Sequence, residues 1–587
     1  MSPKKIWNLI PPSPQAPRLA LETGISRLKA QLLLNRNITD SDSAAIFLSP
    51  RLSHLADPML LKDMDRAIDL VLKSVEKREP ITVYGDYDAD GLTATALLLN
   101  FFWELGVSVS FYIPNRLGEG YSLNPDSIRR LAQRGTRLII TVDCGISNLG
   151  EISLAKDLGM KIVVTDHHQI PEGFYPLCPV INPNRPDSLF PFKDLAGVGV
   201  AFFFILGLRA ALRNRGWFRD IPEPDLKRYL DLVAIGTVAD MVPLKGLNRI
   251  LVQSGIEVMR DSKWHGLNAL KDVSGVKNSD ISSYDLAFKL APRLNAPGRM
   301  GDAETGLRAL TADLEPLALE AAKGLNSMNI QRQVIEKKIL DEIEKTMIPA
   351  INLKNRRTLV LAREGWHRGV LGIVASKLLD KYHRPAFIFT IHDGIATGSG
   401  RSINGLNLHS AMTRLDSLFE KFGGHYHAAG CTMKAVNIKN LAKGLEEIAI
   451  EELCERDLIP SVEVDMEMSL GDLTMETIKQ IQTLEPFGSG NPEPVFYAGS
   501  LEVLRSWIVD DRHLKLKLRQ GDHVMEAIGF GLGNMHPPLE GGTINAIFSP
   551  EINTWRGYRK IQLRISDLEI KGDTSKLCRS DDKIGPM

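Results

Sequence analysis

Four short β-branched runs, "ITVYGD", "SVSFYIP", "RLIITVD" and "KIVVTD", follow one another between residues 81 and 166, separated by helical stretches such as "LTATALLLNFFWELG" and "ISLAKDLG". Strands alternating with helices specify a parallel sheet covered by helices on both faces. Ligands of such sheets bind at the carboxyl ends of the strands. Three of the runs end there in an acid: Asp86, Asp143 and Asp166. The first continues as "DYDADG", so Asp86, Asp88 and Asp90 crowd like charges together, which is unfavourable unless something positive sits among them.

The chain has 587 residues, more than one hydrophobic core accommodates. Residues 1–75 read as a helical lead-in with proline-rich coil up to Pro17, and residues 76–300 as the α/β unit just described. Apolar positions Ala321, Leu325, Met328, Ile335 and Ile339 recur at helical spacing within 301–350, which predicts a long connecting helix with Gly324 as its weak point. A second α/β unit follows over 351–458. From 459 to 570 alternating runs such as "HLKLKLR" and "KIQLRI" predict a small β-barrel or sandwich. The polar tail, 571–587, reads as flexible.

Lysine plus arginine equals aspartate plus glutamate, 71 each, so a site for a polyanion has to come from local clustering. Five cysteines without CxxC spacing suggest reduced thiols and a cytoplasmic setting. Prolines break the first residues before an apolar run develops, unlike a signal peptide. "VGVAFFFILGLRAAL" is too short to span a bilayer and reads as a buried helix, so no membrane partner is expected.

Taken singly, a strand-end aspartate is a helix cap or turn residue, and a histidine pair is surface or satisfied core. Taken together, "DYDADG", "TVDCG", "VVTDHHQ" and "AIGTVADMVPL" converge on one sheet edge with carboxylates and imidazoles and no thiolate. That donor set suits two divalent cations, Mn²⁺ with Mg²⁺ able to substitute.

These four motifs, in this order, resemble those of the DHH phosphoesterase superfamily. The resemblance implies two metal ions that activate water and clamp a phosphate, with Asp88, Asp90, Asp143, His167 and Asp240 as ligands and His168 holding a ligand or contacting the scissile phosphate. Many relatives carry a histidine two residues before the position of Asp86. Here it is Tyr84, and Asp86 is the expected substitute ligand.

"GWHRGVLGIVASKL", "GSGRS" and "GGHYHAAG" resemble the DHH-associated second domain, where glycines let backbone N–H groups approach phosphate. "YIPNR", "APRLNAPGRM" and "LEPFGSGNPEPVF" are similar to a bacterial branch of the superfamily, single-strand-specific 5′→3′ DNA exonucleases. That branch implies release of 5′-mononucleotides in DNA repair and recombination, by a monomer cooperating with single-stranded DNA-binding protein and a helicase. It makes Arg116, Ser399 and Arg401 the expected 5′-phosphate ligands, with Gly424 and His425 on the neighbouring loop. Arg293, Asn295 and Arg299, on a loop beside the core, are expected to contact the DNA backbone, and Tyr121 to stack on a base or pack. The β domain, expected to be an OB-like barrel, interleaves Trp555 and Tyr558 with Arg556, Arg559, Lys560 and Arg564, and "HLKLKLR" adds Lys515, Lys517 and Arg519 on one strand face. Aromatic platforms among cations suit single-strand stacking and backbone neutralisation.

Two rivals stand beside this reading. One is another DHH phosphohydrolase, such as an oligoribonuclease, a cyclic-dinucleotide phosphodiesterase or a manganese pyrophosphatase, against which the extra β domain argues. The other is a non-catalytic DHH-derived scaffold, against which the retained ligating side chains argue.

Overall fold

The computed structural model describes residues 5–116, 118–535, 539–555, 558–570 and 577–579. They divide into two compact units, one of residues 49–335 with 486–492, the other of the remaining chain.

The first unit is built on a five-stranded parallel sheet in the spatial order Val109–Tyr112, Ile81–Gly85, Leu138–Val142, Lys161–Thr165, Val180–Ile181. The order reverses between Ile81–Gly85 and Leu138–Val142, and a crevice opens at such a switch point beyond the carboxyl ends of the strands. Register then sets the acids side by side. Gly85 pairs with Val142 and Val142 with Thr165, so Asp86, Asp143 and Asp166 leave three neighbouring strands at the same level. Strands ~4.8 Å apart hold those carboxylates within reach of one another.

Both faces of the sheet are buried. Helices Ala89–Glu104, Gly197–Asn214 and Leu230–Ala239 cover one with a core that includes Phe101, Phe203 and Phe204. Pro125–Gln133 and Leu149–Asp157 cover the other, where Tyr84, Ile128 and Ile152 are buried. The expected buried helix is Gly197–Asn214. Eighteen residues long and apolar, it packs in the core, with Phe203 and Phe204 fully inaccessible.

The expected connecting helix runs over Glu315–Glu342 without a break at Gly324 and widens into a π-type turn at Ile343–Met347. Nothing in the packing requires glycine at 324, since a Cβ there would meet only Thr305 at 3.9 Å, and the helix carries its entropic cost without breaking.

The second unit holds a five-stranded mixed sheet, ordered Lys421–Gly424, Ala428–Lys434, Ile395–Arg401, Ala386–His392, Leu359–Glu364, with helices Leu371–Tyr382 and Ile438–Glu452. It also holds an OB-type barrel of five strands, closed where Phe496–Val509 pairs with Thr543–Trp555.

Two expectations about the chain ends need correction. The lead-in is not wholly helical, because Ile6–Leu9 is a strand, pairing in parallel with Ser461–Val464 on one side and Leu577–Arg579 on the other. Part of the supposedly flexible tail is therefore an ordered edge strand. The reason lies in Trp7, fully buried beside Val464, Tyr497 and Ile547, its indole N–H donating to Asp567 at 2.9 Å. Burying an indole with its donor satisfied anchors a short strand that local pattern alone would not predict.

Candidate metal centre

Asp88 caps the helix that begins at Ala89, its Oδ1 accepting the N–H groups of Asp90 and Gly91 at 3.0 and 3.1 Å. The turn is tight enough that a Cβ on Gly91 would lie 2.6 Å from the Asp86 carbonyl oxygen, so glycine is required there. Asp90, the second residue of the helix, is buried and points at the start of Gly197–Asn214. Its carboxylate accepts from Gly197 N–H at 2.6 Å and Val198 N–H at 2.9 Å, a negative charge placed on a helix N-terminus.

Asp143 adopts φ +61°, a left-handed conformation that costs energy for a residue with a side chain and clusters at functional sites. It is held by its N–H donating to Thr165 O at 3.0 Å. A Cβ on Gly197 would come within 2.6 Å of the Asp143 Cβ, so that helix approaches closely because its contact residue is glycine. Asp166 has both oxygens engaged: Oδ1 accepts from the N–H groups of His167 and His168 and from His168 Nδ1 at 2.7, 3.1 and 2.7 Å, and Oδ2 accepts from Ile146 N–H at 2.9 Å. It is a buried scaffold for the histidine pair.

His167 sits at the centre. Its Nε2 lies 3.1 Å from Asp143 Oδ1, 3.6 Å from Asp240 Oδ2 and 3.9 Å from Asp90 Oδ2. Yet His167 Nε2, Asp143 Oδ1 and Asp86 Oδ1 are buried and make no aligned hydrogen bond. Buried polar atoms left this way are expensive, and here they share one small region. Three overlapping groups could hold a metal ion: Asp86, Asp88 and Asp143; Asp90, His167 and Asp240; and Asp143, His167 and His168. The donors are carboxylate oxygens and imidazole nitrogens. Cys144, although adjacent, turns its thiol toward Tyr84 O at 3.8 Å. That donor set fits Mn²⁺ or Mg²⁺.

The electrostatics agree. Burial, reinforced by neighbouring aspartates, pushes Asp86 and Asp143 far above the usual carboxylate range. Burial and Asp240 raise Asp90 to about 7, and burial and Asp88 raise Asp240 to about 7. Burial lowers His167. Burial would also lower His168, but its hydrogen bond to Asp166 carries it up to about 9. Asp166, despite burial, is held below its usual value by that same contact.

A cavity of about 300 Å³ opens over these groups, and Arg116, Tyr121, Asn295 and Arg299 also line it. The Arg116 guanidinium stands 5.1 Å from the Tyr87 ring centroid. Tyr121 is half-exposed, edge-on to His168, its hydroxyl 3.1 Å from His168 Nε2. Arg293, Asn295 and Arg299 lie on a helix, Ala291–Met300, and not on the expected loop. Pro292 occupies its first turn, where no N–H is needed, and Pro297 is accommodated inside it. Asn295 fixes it by accepting Ala89 N–H at 2.8 Å. Arg293 turns aside to Asn326 Oδ1 and Lys289 O, at 3.0 and 2.7 Å, and does not line the cavity.

Tyr84, which stands where the superfamily resemblance implies a histidine, is fully buried. Its hydroxyl donates to Ser122 O at 3.0 Å and its ring stacks on Tyr112. Asp86 alone of the two faces the metal groups.

Ser399 and Arg401 belong to the second unit, where Arg401 donates to Ser399 Oγ at 3.2 Å. Gly372, in the first turn of Leu371–Tyr382, leaves room for both, since a Cβ there would meet them at 3.0–3.1 Å. Gly424 takes φ +151° beside His425, whose N–H donates to Ala428 O at 2.8 Å. In the barrel, Lys515, Lys517, Tyr558 and Lys560 line a groove of about 1160 Å³. Arg519 is tied to Glu502 and Arg564 to Glu493, so not every cation anticipated on these strands is free. Arg556 and the Trp555 side chain lie outside the described residues. Sequence reasoning did not single out Trp507, which pairs across the barrel sheet with Lys515 and has the Arg505 guanidinium 5.4 Å from its ring.

Models of three domains match the chain: the DHH family N-terminal domain over 80–237, the DHHA1 domain over 355–451 and the RecJ OB domain over 464–567. The single-stranded-DNA-specific exonuclease RecJ of Bacillus subtilis (strain 168) is 36% identical over 576 residues, 97% of this chain and 71% of that protein. The Escherichia coli (strain K12) protein of the same name is 37% identical over 525 residues, 86% of this chain and 90% of that one. Among solved structures, RecJ from Thermus thermophilus in complex with Mn²⁺ superposes with a TM-score of 0.82 at 28% identity, covering 97% of this chain and 80% of that chain. The Mg²⁺ complex gives 0.76 at 27% identity, covering 98% and 79%.

Proposed function

The chain belongs to the RecJ family of DHH phosphoesterases, and from that premise we propose that it removes 5′-mononucleotides from single-stranded DNA in the 5′→3′ direction. It is a metal-dependent single-stranded-DNA exonuclease. The observation that carries the reading is the pair of ligand groups that meet where Asp143 Oδ1 lies 3.1 Å from His167 Nε2.

Asp86, Asp88 and Asp143 would hold one ion, and Asp90, His167 and Asp240 a second, with Asp143 between them. Divalent cations bound there supply a more acidic water and neutralise charge on the phosphate. The chain's own residues do the rest. Asp166 fixes His168 through Nδ1 and keeps it protonated, and Nε2–H, which faces the Tyr121 hydroxyl at 3.1 Å, would exchange that contact for a non-bridging phosphate oxygen. Arg116 and Arg299 add positive charge around the cavity, and Asn295 orients the helix that carries Arg299. Tyr121, held against His168, closes one wall and can stack on the terminal base.

Arg116, Ser399 and Arg401 are proposed as ligands of the 5′-phosphate, with the Gly424–His425 backbone nearby. Lys515, Lys517, Tyr558 and Lys560 are proposed to take the single strand along the barrel groove, with Trp507 as a stacking surface. Family membership supports a role in repair and recombination, action as a cytoplasmic monomer, and cooperation with single-stranded DNA-binding protein and a helicase that opens the end.

Strands labelled at the 5′ or the 3′ end test the core of the reading. With Mn²⁺, the 5′ label is expected to appear at once as mononucleotide, while the 3′ label stays on shortening strands. Asp143→Ala should abolish digestion while preserving the fold by circular dichroism. Full activity in that variant, or first release of the 3′ label, would overturn the assignment.

A further inference from the structure

Tyr284 and Phe288 are large aromatic residues left 62% and 66% exposed. Their rings pack on each other with centroids 4.7 Å apart at 36°. They stand on a helical segment that runs continuously from Ser283–Asp285 through a π-type turn at Leu286–Leu290 into Ala291–Met300. The segment is firmly fixed at its start. A Ser282–Asp285 capping box closes it, Ser283 Oγ donates to Phe487 O at 2.6 Å, and Lys289 pairs with Asp285 at 2.7 Å. Two adjoining exposed aromatic rings on so rigid a support are an unusual use of apolar surface in a soluble chain.

The helix that carries the pair also carries Asn295 and Arg299 into the catalytic cavity. At ~100° per residue, and a little less through the π turn, Tyr284, Phe288 and Arg299 fall on nearly the same face, with Asn295 within about 60° of it. The rise of ~1.5 Å per residue puts Phe288 roughly 16 Å before Arg299 along that face. One row therefore begins with a pair of bare rings and ends with a guanidinium over the metal centre. That is the order of groups a single strand needs: stacking surfaces for bases, then cations for the phosphate being cut.

We propose that Tyr284 and Phe288 form a stacking platform for nucleobases of the substrate strand a few nucleotides from the scissile phosphate, and so position the strand for cleavage. The proposal rests on the exonuclease reading above and adds a binding subsite to it. The rings have no donor or acceptor pattern fixed on a base edge, so the platform is indifferent to sequence. It demands unpaired bases, because a base inside a duplex offers no free face.

The test combines protein variants with abasic substrates. Mn²⁺-dependent release of 5′ nucleotides is measured on strands of increasing length for the parent, for Tyr284→Ala/Phe288→Ala and for Phe288→Trp. In the parent, KM should fall as the strand lengthens past the cavity. In the double alanine variant that gain should vanish, raising KM roughly tenfold or more on long strands. Phe288→Trp should keep it. A single abasic nucleotide, moved stepwise from the 5′ end, should raise the parent's KM at one or two positions, and the double variant should not respond at those positions. Thermal midpoint and Mn²⁺ affinity report on folding. If parent and variant respond alike to the abasic scan at every position, or if Phe288→Trp behaves as the alanine variant does, the platform is wrong. If the parent itself fails to digest single strands, the exonuclease reading fails instead.

Discussion

Asp166 shows how much one side chain can do without touching substrate. It accepts four hydrogen bonds, two of them from the backbone of His167 and His168, and so holds the backbone of both residues and the direction of the His168 imidazole. Replacing it by asparagine keeps the shape but removes the charge that raises His168 to about 9. Asp166→Asn is expected to lower kcat about 10²-fold or more. It should also move the basic limb of the pH–rate profile to lower pH, because His168 then loses its proton earlier. A uniform loss with an unshifted profile would contradict this.

The carboxylates carry a second consequence at the same scale. In the metal-free protein Asp90 and Asp240 titrate near 7, well above their unfolded values. The folded state thus binds protons that the unfolded state has released, and stability falls as pH rises through about 7. Cations displace those protons. Mn²⁺ affinity should climb as pH rises toward 7 and level off above it, with proton release detected by titration in buffers of different ionisation enthalpy. The thermal midpoint of metal-free protein should drop between about pH 4 and pH 7, the interval between the unfolded and folded values, and level off above it, and Mn²⁺ should restore it.

At the scale of elements, the metal centre depends on how closely Gly197–Asn214 approaches the strand end at Asp143. Gly197→Ala would place a methyl 2.6 Å from the Asp143 Cβ and 2.7 Å from its Oδ1. Such overpacking costs about 1–3 kcal/mol, and here it falls on a residue already in a left-handed conformation. The variant should lose Mn²⁺ affinity by at least about tenfold, read by calorimetry, while retaining its helix content.

That glycine lay unmarked in the run leading into "VGVAFFF", whereas the aspartates and histidines stood out. Ligands announce themselves by residue type at strand ends, because a parallel sheet sends its carboxyl ends to one edge. What lets them converge is close backbone approach, which leaves no pattern in one sequence. The helix of Asn295 and Arg299 was obscured for a related reason. Two prolines and a glycine within "APRLNAPGRM" imply a loop by local preference, and only the tertiary contact of Asn295 with Ala89 N–H makes the helix worth keeping. The strand Ile6–Leu9 was hidden because four residues carry no periodicity and its partners lie more than 400 positions away.

For the whole molecule, balanced charge hides the lysine-lined groove of the barrel, proposed above to take the single strand. Lys515 leans on Glu526 at 3.4 Å and Gln562 at 3.2 Å, and Lys517 and Lys560 line the same groove. Each contact with a single strand contributes ~0.7 to the slope of log K against log salt. Replacing all three lysines by alanine should flatten that slope by about 2, measured by fluorescence anisotropy over a range of salt. The slope of a Tyr558→Ala variant should stay near that of the parent while affinity falls, since a ring contributes stacking and not counterion release. The barrel itself is pinned by the far end of the chain. Trp7→Phe removes the indole donor to Asp567 and leaves a buried carboxylate short of a partner, a loss of about 1–3 kcal/mol that urea unfolding would register.

The segment Pro486–Pro492 returns to the catalytic unit after the chain has left it at residue 335. There Ser489 O accepts Leu244 N–H at 2.7 Å and Phe487 O accepts the Ser283 hydroxyl at 2.6 Å. On a ribosome adding ~5–20 residues per second, the interval between those two points is roughly 8–30 s. Through that interval the nascent chain carries a metal centre whose surrounding unit still lacks its last piece. The unit's last segment is thus made only just before the first long strand of the barrel, Phe496–Val509.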